Sequence, residues 1–132
     1  MSEMQVVIIT GEKEVYSDSV DVLVAPGLEG ELGILPYHAP LMTALQPGEI
    51  MLRKDGQQSY LAVSGGFLEV MSNKVTILAD TCERSDEIDG ERARQAVERA
   101  RERLAMRESD INLERAAAAL RRAVVRLRVF SH

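Results

Sequence analysis

The chain has 132 residues, with 45% hydrophobic and 28% charged side chains and a formal net charge of −5; this is ordinary for a globular protein, and 132 residues can bury one modest core or a small core plus an appendage. No apolar run approaches the ~20 residues of a membrane span, and the acidic balance argues against broad nucleic-acid affinity for the whole chain. Cys82 is the single cysteine, so no intramolecular disulfide can form and the chain suits a reducing compartment. No basic-then-apolar leader opens the sequence, so no secretory signal is expected.

In chain order, Met4–Ile9 is a β-branched run that predicts a strand. Gly11 marks a turn within Thr10–Glu14. Tyr16–Ser19 is polar and reads as a break. Val20, Val22 and Val24 then alternate, the period of a half-buried strand, and Pro26–Gly27 is expected to stop it. Gly27–Met42 holds three glycines and two prolines, interleaved with Leu32, Ile34, Leu35, Leu41 and Met42. That is too apolar for a solvated loop, so it reads as short strands and tight turns with a tip able to contact another protein. Ile50–Arg53 and Ser59–Val63 flank Asp55-Gly56, whose residue types supply the positive φ angles of a tight hairpin. Ser64-Gly65-Gly66 marks a place where backbone turns or passes close to a neighbour. Phe67–Met71 and Val75–Ala79 are two more strands around Ser72-Asn73-Lys74. Many short strands at close spacing predict a β-sandwich or small barrel.

Between Glu83 and Ala93 the character of the chain changes. Residues 1–83 carry four Lys or Arg and twelve Asp or Glu; residues 84–132 carry twelve Arg, no Lys and nine acids. Asp86, Glu87 and Asp89 suit a helix start, where carboxylates offset unpaired N–H groups and the positive dipole end. Ala93, Ala96, Val97, Ala100 and Leu104 recur at helical spacing, and Leu113, Ala116, Ala117, Leu120, Val124 and Leu127 do so again. Ser109 and Asp110 are good capping residues. Two antiparallel helices follow, over Asp89–Met106 and Asp110–Phe130, with a reversal within Met106–Ser109. Their alanine-rich seam buries little area, so the hairpin needs further support.

Arg92, Arg99 and Arg103 fall at i, i+7 and i+11 on the first helix, and Arg115, Arg122 and Arg126 repeat that spacing on the second. Each set makes one stripe. One reading is a solvated charged face with pairing to Glu98, Glu102 and Glu114. The other is a polyanion site, because arginine alone is used here and its fork suits phosphate or carboxylate. No glycine-rich phosphate loop is present. Nucleic acid competes as a ligand, without the interleaved aromatics such binding uses. Cys82, His38 and His132 lack the spacing of a catalytic or metal-binding set.

The stretches GELGILPYHAPLM (Gly30–Met42), YLAVSGGFLEV (Tyr60–Val70), VTILAD (Val75–Asp80), IDGERA (Ile88–Ala93) and INLERAAAALRRAVVRL (Ile111–Leu127) closely resemble the epsilon-subunit family of bacterial F-type ATP synthase, over nearly the whole chain. IDGERA fits the Ile/Leu-Asp-x-x-Arg-Ala pattern of members that bind ATP on the helical hairpin. Gly90 departs in kind, since glycine weakens a first helical turn, and is expected to loosen the hairpin.

The resemblance implies a mainly β plus α protein: a ten-stranded β-sandwich over 1–84, followed by a C-terminal antiparallel two-helix hairpin over 85–132. It implies a non-enzymatic rotor subunit at the cytoplasmic face of the cell membrane, beside the gamma subunit and without membrane insertion. The loop carrying Glu31 and His38 would meet the c-subunit ring. The hairpin would be a brake, folded down during turnover and extended toward the alpha and beta catalytic subunits to inhibit ATP hydrolysis. ATP, alone or with Mg2+, would be the regulatory ligand. Ile88, Asp89 and Ala93 would lie near the adenine with Glu83 close by, and Arg92, Arg99, Arg122 and Arg126 would face the phosphates. The alternative is a free-standing anion- or nucleic-acid-binding module.

Overall fold

The structure is a computed structural model that describes residues 2–11, 13–106 and 110–132, the side chains of 110–112 excepted. It forms two compact units, Met1–Glu83 and Arg84–His132.

Among the described residues the first unit carries strands β1 (Met4–Thr10), β2 (Lys13–Val20), β3 (Val22–Gly27), β4 (Gly30–Ile34), β5 (Leu41–Leu45), β6 (Gly48–Lys54), β7 (Gln57–Val63), β8 (Gly66–Met71), β9 (Lys74–Ala79) and β10 (Cys82–Arg84). They hydrogen-bond in the order β10-β7-β6-β3-β5-β8-β9-β1-β2, with β4 on β3. The β1–β9 pair is parallel. Residues of period two point inward: Met4, Val6 and Ile8 on β1, Ile50 and Leu52 on β6, Leu61 and Val63 on β7, Leu68 and Val70 on β8, Val75, Ile77 and Ala79 on β9. All are buried and no buried residue of this core is polar, as a sheet folded over one apolar interior requires.

The fold-over is visible where β2, at one end of this order, meets β6 near the other. The Asp21 N–H donates to the Arg53 carbonyl at 2.8 Å, the Asp55 N–H donates to Asp21 Oδ2 at 3.1 Å, and Lys54 Nζ reaches Asp18 Oδ1 at 2.8 Å. The Lys54 bond, then the Ser19 N–H, holds the Asp18 carboxyl below its ordinary value, and Asp18 raises Lys54 in return.

Three expectations are corrected here. Tyr16–Ser19 is no break but lies within β2, paired to β1 from Gln5↔Ser19 to Ile8↔Tyr16. As the outermost strand in the order it bonds on one side only, and such edges favour polar and charged residues. Val20 and Val22 are not one strand, because Asp21 turns the chain between β2 and β3. Pro26–Gly27 does not stop β3 but lies within it, opposite Glu31 and Gly30 of β4.

The turns follow their residue types. Asp55 (φ 51°) and Gly56 (φ 79°) close β6–β7, and Ser72 (φ 52°) and Asn73 (φ 60°) close β8–β9, both with the two positive φ angles of a type I′ hairpin. Gly66 marks the close approach expected of it: a Cβ there would overlap the Leu78 carbonyl and lie 2.9 Å from Ala79 Cα.

The second unit opens with a short 3-10 turn, Ser85–Glu87, followed by helices α1 (Gly90–Met106) and α2 (Asp110–Phe130). Asp89 is the N-cap of α1. Its Oδ1 accepts the Arg92 N–H at 3.1 Å, and its carbonyl accepts the Ala93 N–H at 3.0 Å, which satisfies donors a helix start otherwise leaves open. The Ser109 cap and the reversal after Met106 lie outside the described residues. Gly90 has a packing role beside its helix-weakening one. It is buried, and a Cβ on it would sit 2.7 Å from Phe130 Cδ2 and nearer still to Cε2 and Cζ. The end of α2 therefore rests on the start of α1, which makes the helices antiparallel.

Candidate functional site

The arginines of the hairpin are placed by their alanine neighbours. Ala93 and Ala100 on α1, and Ala116 and Ala123 on α2, are all at most 3% exposed. Each is preceded by an arginine: Arg92, Arg99, Arg115 and Arg122. One residue is ~100° of helix, so all four stand on the same flank relative to the buried line. Contacting antiparallel helices are related by a two-fold axis normal to their common plane. Equal offsets on α1 and α2 therefore fall on the same side of the hairpin. Counting inward from Gly90 and Phe130, Arg92 comes within about a turn of Arg126, Arg99 of Arg122 and Arg103 of Arg115.

The acids go elsewhere. Arg94 and Arg101 each follow a buried alanine, so they occupy the opposite flank. There Glu91 bonds Arg94 at 2.9 Å and Glu98 reaches Arg101 at 3.9 Å. Arg92, Arg99 and Arg122 are exposed, and Arg126 is half-buried with its Nε shielded from solvent. The sequence spacing alone left both a solvated face and a polyanion site open. The structure places like charge at matched heights on one flank, where a bound anion would supply counter-charge.

The remaining residues expected near a nucleotide are less uniform. Asp89 is exposed, with one oxygen engaged in capping. Ile88 is 5% exposed and Ala93 fully buried, so neither presents an open side chain to a ligand. Glu83 is half-buried at the end of the first unit. The residues fit the charged end of an anionic ligand better than its apolar end.

Glu31 and His38 are separated. Glu31 is exposed near the β3–β4 turn, whereas His38 lies beyond the other end of β4, past roughly 10 Å of strand. His38 Nδ1 donates to the Ala39 carbonyl at 2.8 Å. A shallow cleft of about 560 Å3 on the sheet is lined by Ile9, Thr10, Gly11, Phe67, Leu78, Ala79 and Asp80, and offers nothing basic to a phosphate.

Two features escaped sequence reasoning. Phe130 could not be matched to Gly90 from spacing, since the two residues stand at opposite ends of the hairpin's sequence. Asn73 was read only as a turn residue, yet its side chain bonds the distant Tyr37. The Pro36 signal pointed to a turn there without showing that a tyrosine takes the left-handed position.

An acidic ten-stranded sandwich joined to an arginine-flanked helical hairpin defines the class of two-part proteins with a β unit followed by a helical unit. The comparisons specify which. Residues 3–85 match the ATP synthase delta/epsilon chain beta-sandwich domain, and residues 86–131 its long alpha-helix domain. The chain belongs to the ATP synthase delta/epsilon chain family, among the bacterial epsilon chains. It is 53% identical to the ATP synthase epsilon chain of Herpetosiphon aurantiacus over 96% of this chain and 93% of that one. It is 50% identical to that of Desulforamulus reducens over 92% of each. A chain of the Euglena gracilis mitochondrial ATP synthase shares the fold, with a TM-score of 0.86 at 22% identity, over 100% of this chain and 83% of that one. A chain of the Tetrahymena thermophila mitochondrial ATP synthase central stalk and c-ring does so with a TM-score of 0.59 at 18% identity, over 97% and 93%. Family membership sets aside the free-standing binding module. No helix among the described residues is long and apolar enough to cross a membrane.

Proposed function

We propose that this chain is a non-catalytic rotor subunit of the central stalk, which couples proton movement to ATP synthesis and brakes ATP hydrolysis through its helices. It would stand beside the gamma subunit at the cytoplasmic face of the cell membrane, and its sandwich would meet the c-subunit ring near Glu31 and His38. The hairpin would move between a folded form that permits turnover and an extended form that reaches the alpha and beta subunits.

The observation that carries the regulatory part is the single flank holding Arg92, Arg99, Arg122 and Arg126. ATP, alone or with Mg2+, is the ligand proposed there. The four guanidinium groups would hold its phosphates, Asp89 would approach the base and ribose end, and Ile88 and Ala93 would support that end through packing. Bound ATP supplies counter-charge and no chemistry. It joins two helices whose alanine seam is thin, and so favours the folded form.

The test is made in the assembled complex. With residues 88–132 deleted, ATP hydrolysis is expected to rise and to lose its dependence on the subunit. Equal hydrolysis with and without the hairpin refutes the brake. Failure of the subunit to capture gamma refutes the rotor assignment itself.

A further inference from the structure

We propose that Tyr37 is the anchoring side chain of the ring contact, and that Asn73 is the positioning residue that presents it. This deepens the reading that the turn carrying His38 meets the c-subunit ring, and rests on it.

Leu35-Pro36-Tyr37-His38 is a tight turn, closed by the His38 N–H donating to the Leu35 carbonyl at 3.1 Å. Pro36 fixes its second position. Tyr37, at the third, has φ +64°, where such turns use glycine. A bulky side chain at positive φ is an outlier that persists only when its surroundings over-determine it. Asn73 does so. Its Oδ1 accepts the Tyr37 N–H at 2.8 Å, its Nδ2 donates to the Glu3 carbonyl at 2.9 Å, and its own carbonyl accepts the Gln5 N–H at 3.2 Å. One side chain thus ties the turn to the N-terminal strand and to the β8–β9 hairpin.

The strain brings the fold no packing in return. Tyr37 is 74% exposed and the neighbouring Leu35 is 58% exposed. A glycine would relieve the backbone and lose almost no buried area, so fold stability does not account for the tyrosine. A ring with an apolar body and a polar tip, held rigidly outward, has the character of an interface anchor. Its proposed occupant is a cleft on the c-subunit ring with apolar walls and a polar group for the phenol, continuous with the contact assigned to His38.

Tyr37→Gly, Asn73→Ala and Asn73→Asp subunits are titrated into vesicles holding the subunit-depleted complex, with proton pumping per ATP hydrolysed as readout. The melting temperature of each subunit is measured alongside. Tyr37→Gly is expected to melt about 2–4 °C above the native chain, yet to need about tenfold more subunit to restore coupled pumping. These opposite signs are not what a structural role gives. Asn73→Ala should weaken coupling similarly, whereas Asn73→Asp, which keeps the acceptor for the Tyr37 N–H, should retain it. Native coupling by Tyr37→Gly overturns the anchor, and native coupling by Asn73→Ala overturns the positioning role. Glu31→Lys and His38→Glu run in parallel. If they weaken coupling while Tyr37→Gly does not, only this inference falls; if none of the variants does, the ring contact falls with it.

Discussion

Phe130, the last residue of α2, packs on Gly90, the first residue of α1, in space that a Cβ would fill: Cδ2 would lie 2.7 Å from it. Glycine costs about 1 kcal/mol in a helix relative to alanine. Phe130 is 45% exposed, so its half-burial returns roughly 1 kcal/mol. The two effects are of one size, and neither wins outright. Gly90→Ala alone should therefore be near neutral, as helix propensity is gained and the ring displaced. In a Phe130→Ala background the same change should stabilise by about 1 kcal/mol. Urea unfolding followed by helical circular dichroism, run as a double-mutant cycle, measures the coupling. A coupling of zero would mean that the ring does not need the glycine.

The arginine flank makes a prediction about ligand linkage. At a hundredfold excess over Kd, ATP should stabilise the folded hairpin by about 2.7 kcal/mol. Replacing Arg92 and Arg126 by Ala should abolish the ATP-induced rise in melting temperature. The ATP-free value should stay within about 4 °C of native, since Arg92 is exposed and Arg126 only half-buried. Calorimetry with and without ATP decides it. Full ATP stabilisation in the double mutant places the ligand elsewhere.

The sandwich should stand alone. Its core residues all lie between Met4 and Ala79, and its strand order is complete by Arg84. A fragment ending at Glu87 is expected to unfold in one cooperative thermal transition, while a fragment ending at Ala79 should be weaker through loss of β10. The absence of cooperativity in the longer fragment would show that the sandwich depends on the helices.

The Asp18–Lys54 bond predicts a pH profile. Asp18 is held below its ordinary 3.8 by the Lys54 bond, so its contribution is present above that value and lost as pH falls through the lowered one. Lys54 is raised above its ordinary 10.5 by Asp18, so its contribution is present below that value and lost as pH rises through the raised one. The melting-temperature gap between the native chain and Asp18→Asn should be flat at neutral pH and close at both extremes. Because the pair is exposed, the gap should be small and should shrink with added salt. A gap that grows in acid contradicts the assignment.

The β-branched run Met4–Ile9, the Asp55-Gly56 pair and the alanine spacing of α1 and α2 were enough to predict short strands, a hairpin and two helices, because each depends on neighbours a few residues apart; the number of strands came from the family resemblance. The arginine–alanine adjacency also belongs to the sequence, and fixed which flank the guanidinium groups take once the helices met. The tertiary structure decided what depends on distant partners. Tyr16–Ser19 became a strand because β1 lay beside it and its other edge was open. Gly90 became a seat because α2 runs back along α1 and brings Phe130 to it. Tyr37 took a glycine conformation because Asn73, 36 residues away, held its N–H. Local spacing encodes which face a residue takes, whereas only the closed chain determines what that face meets.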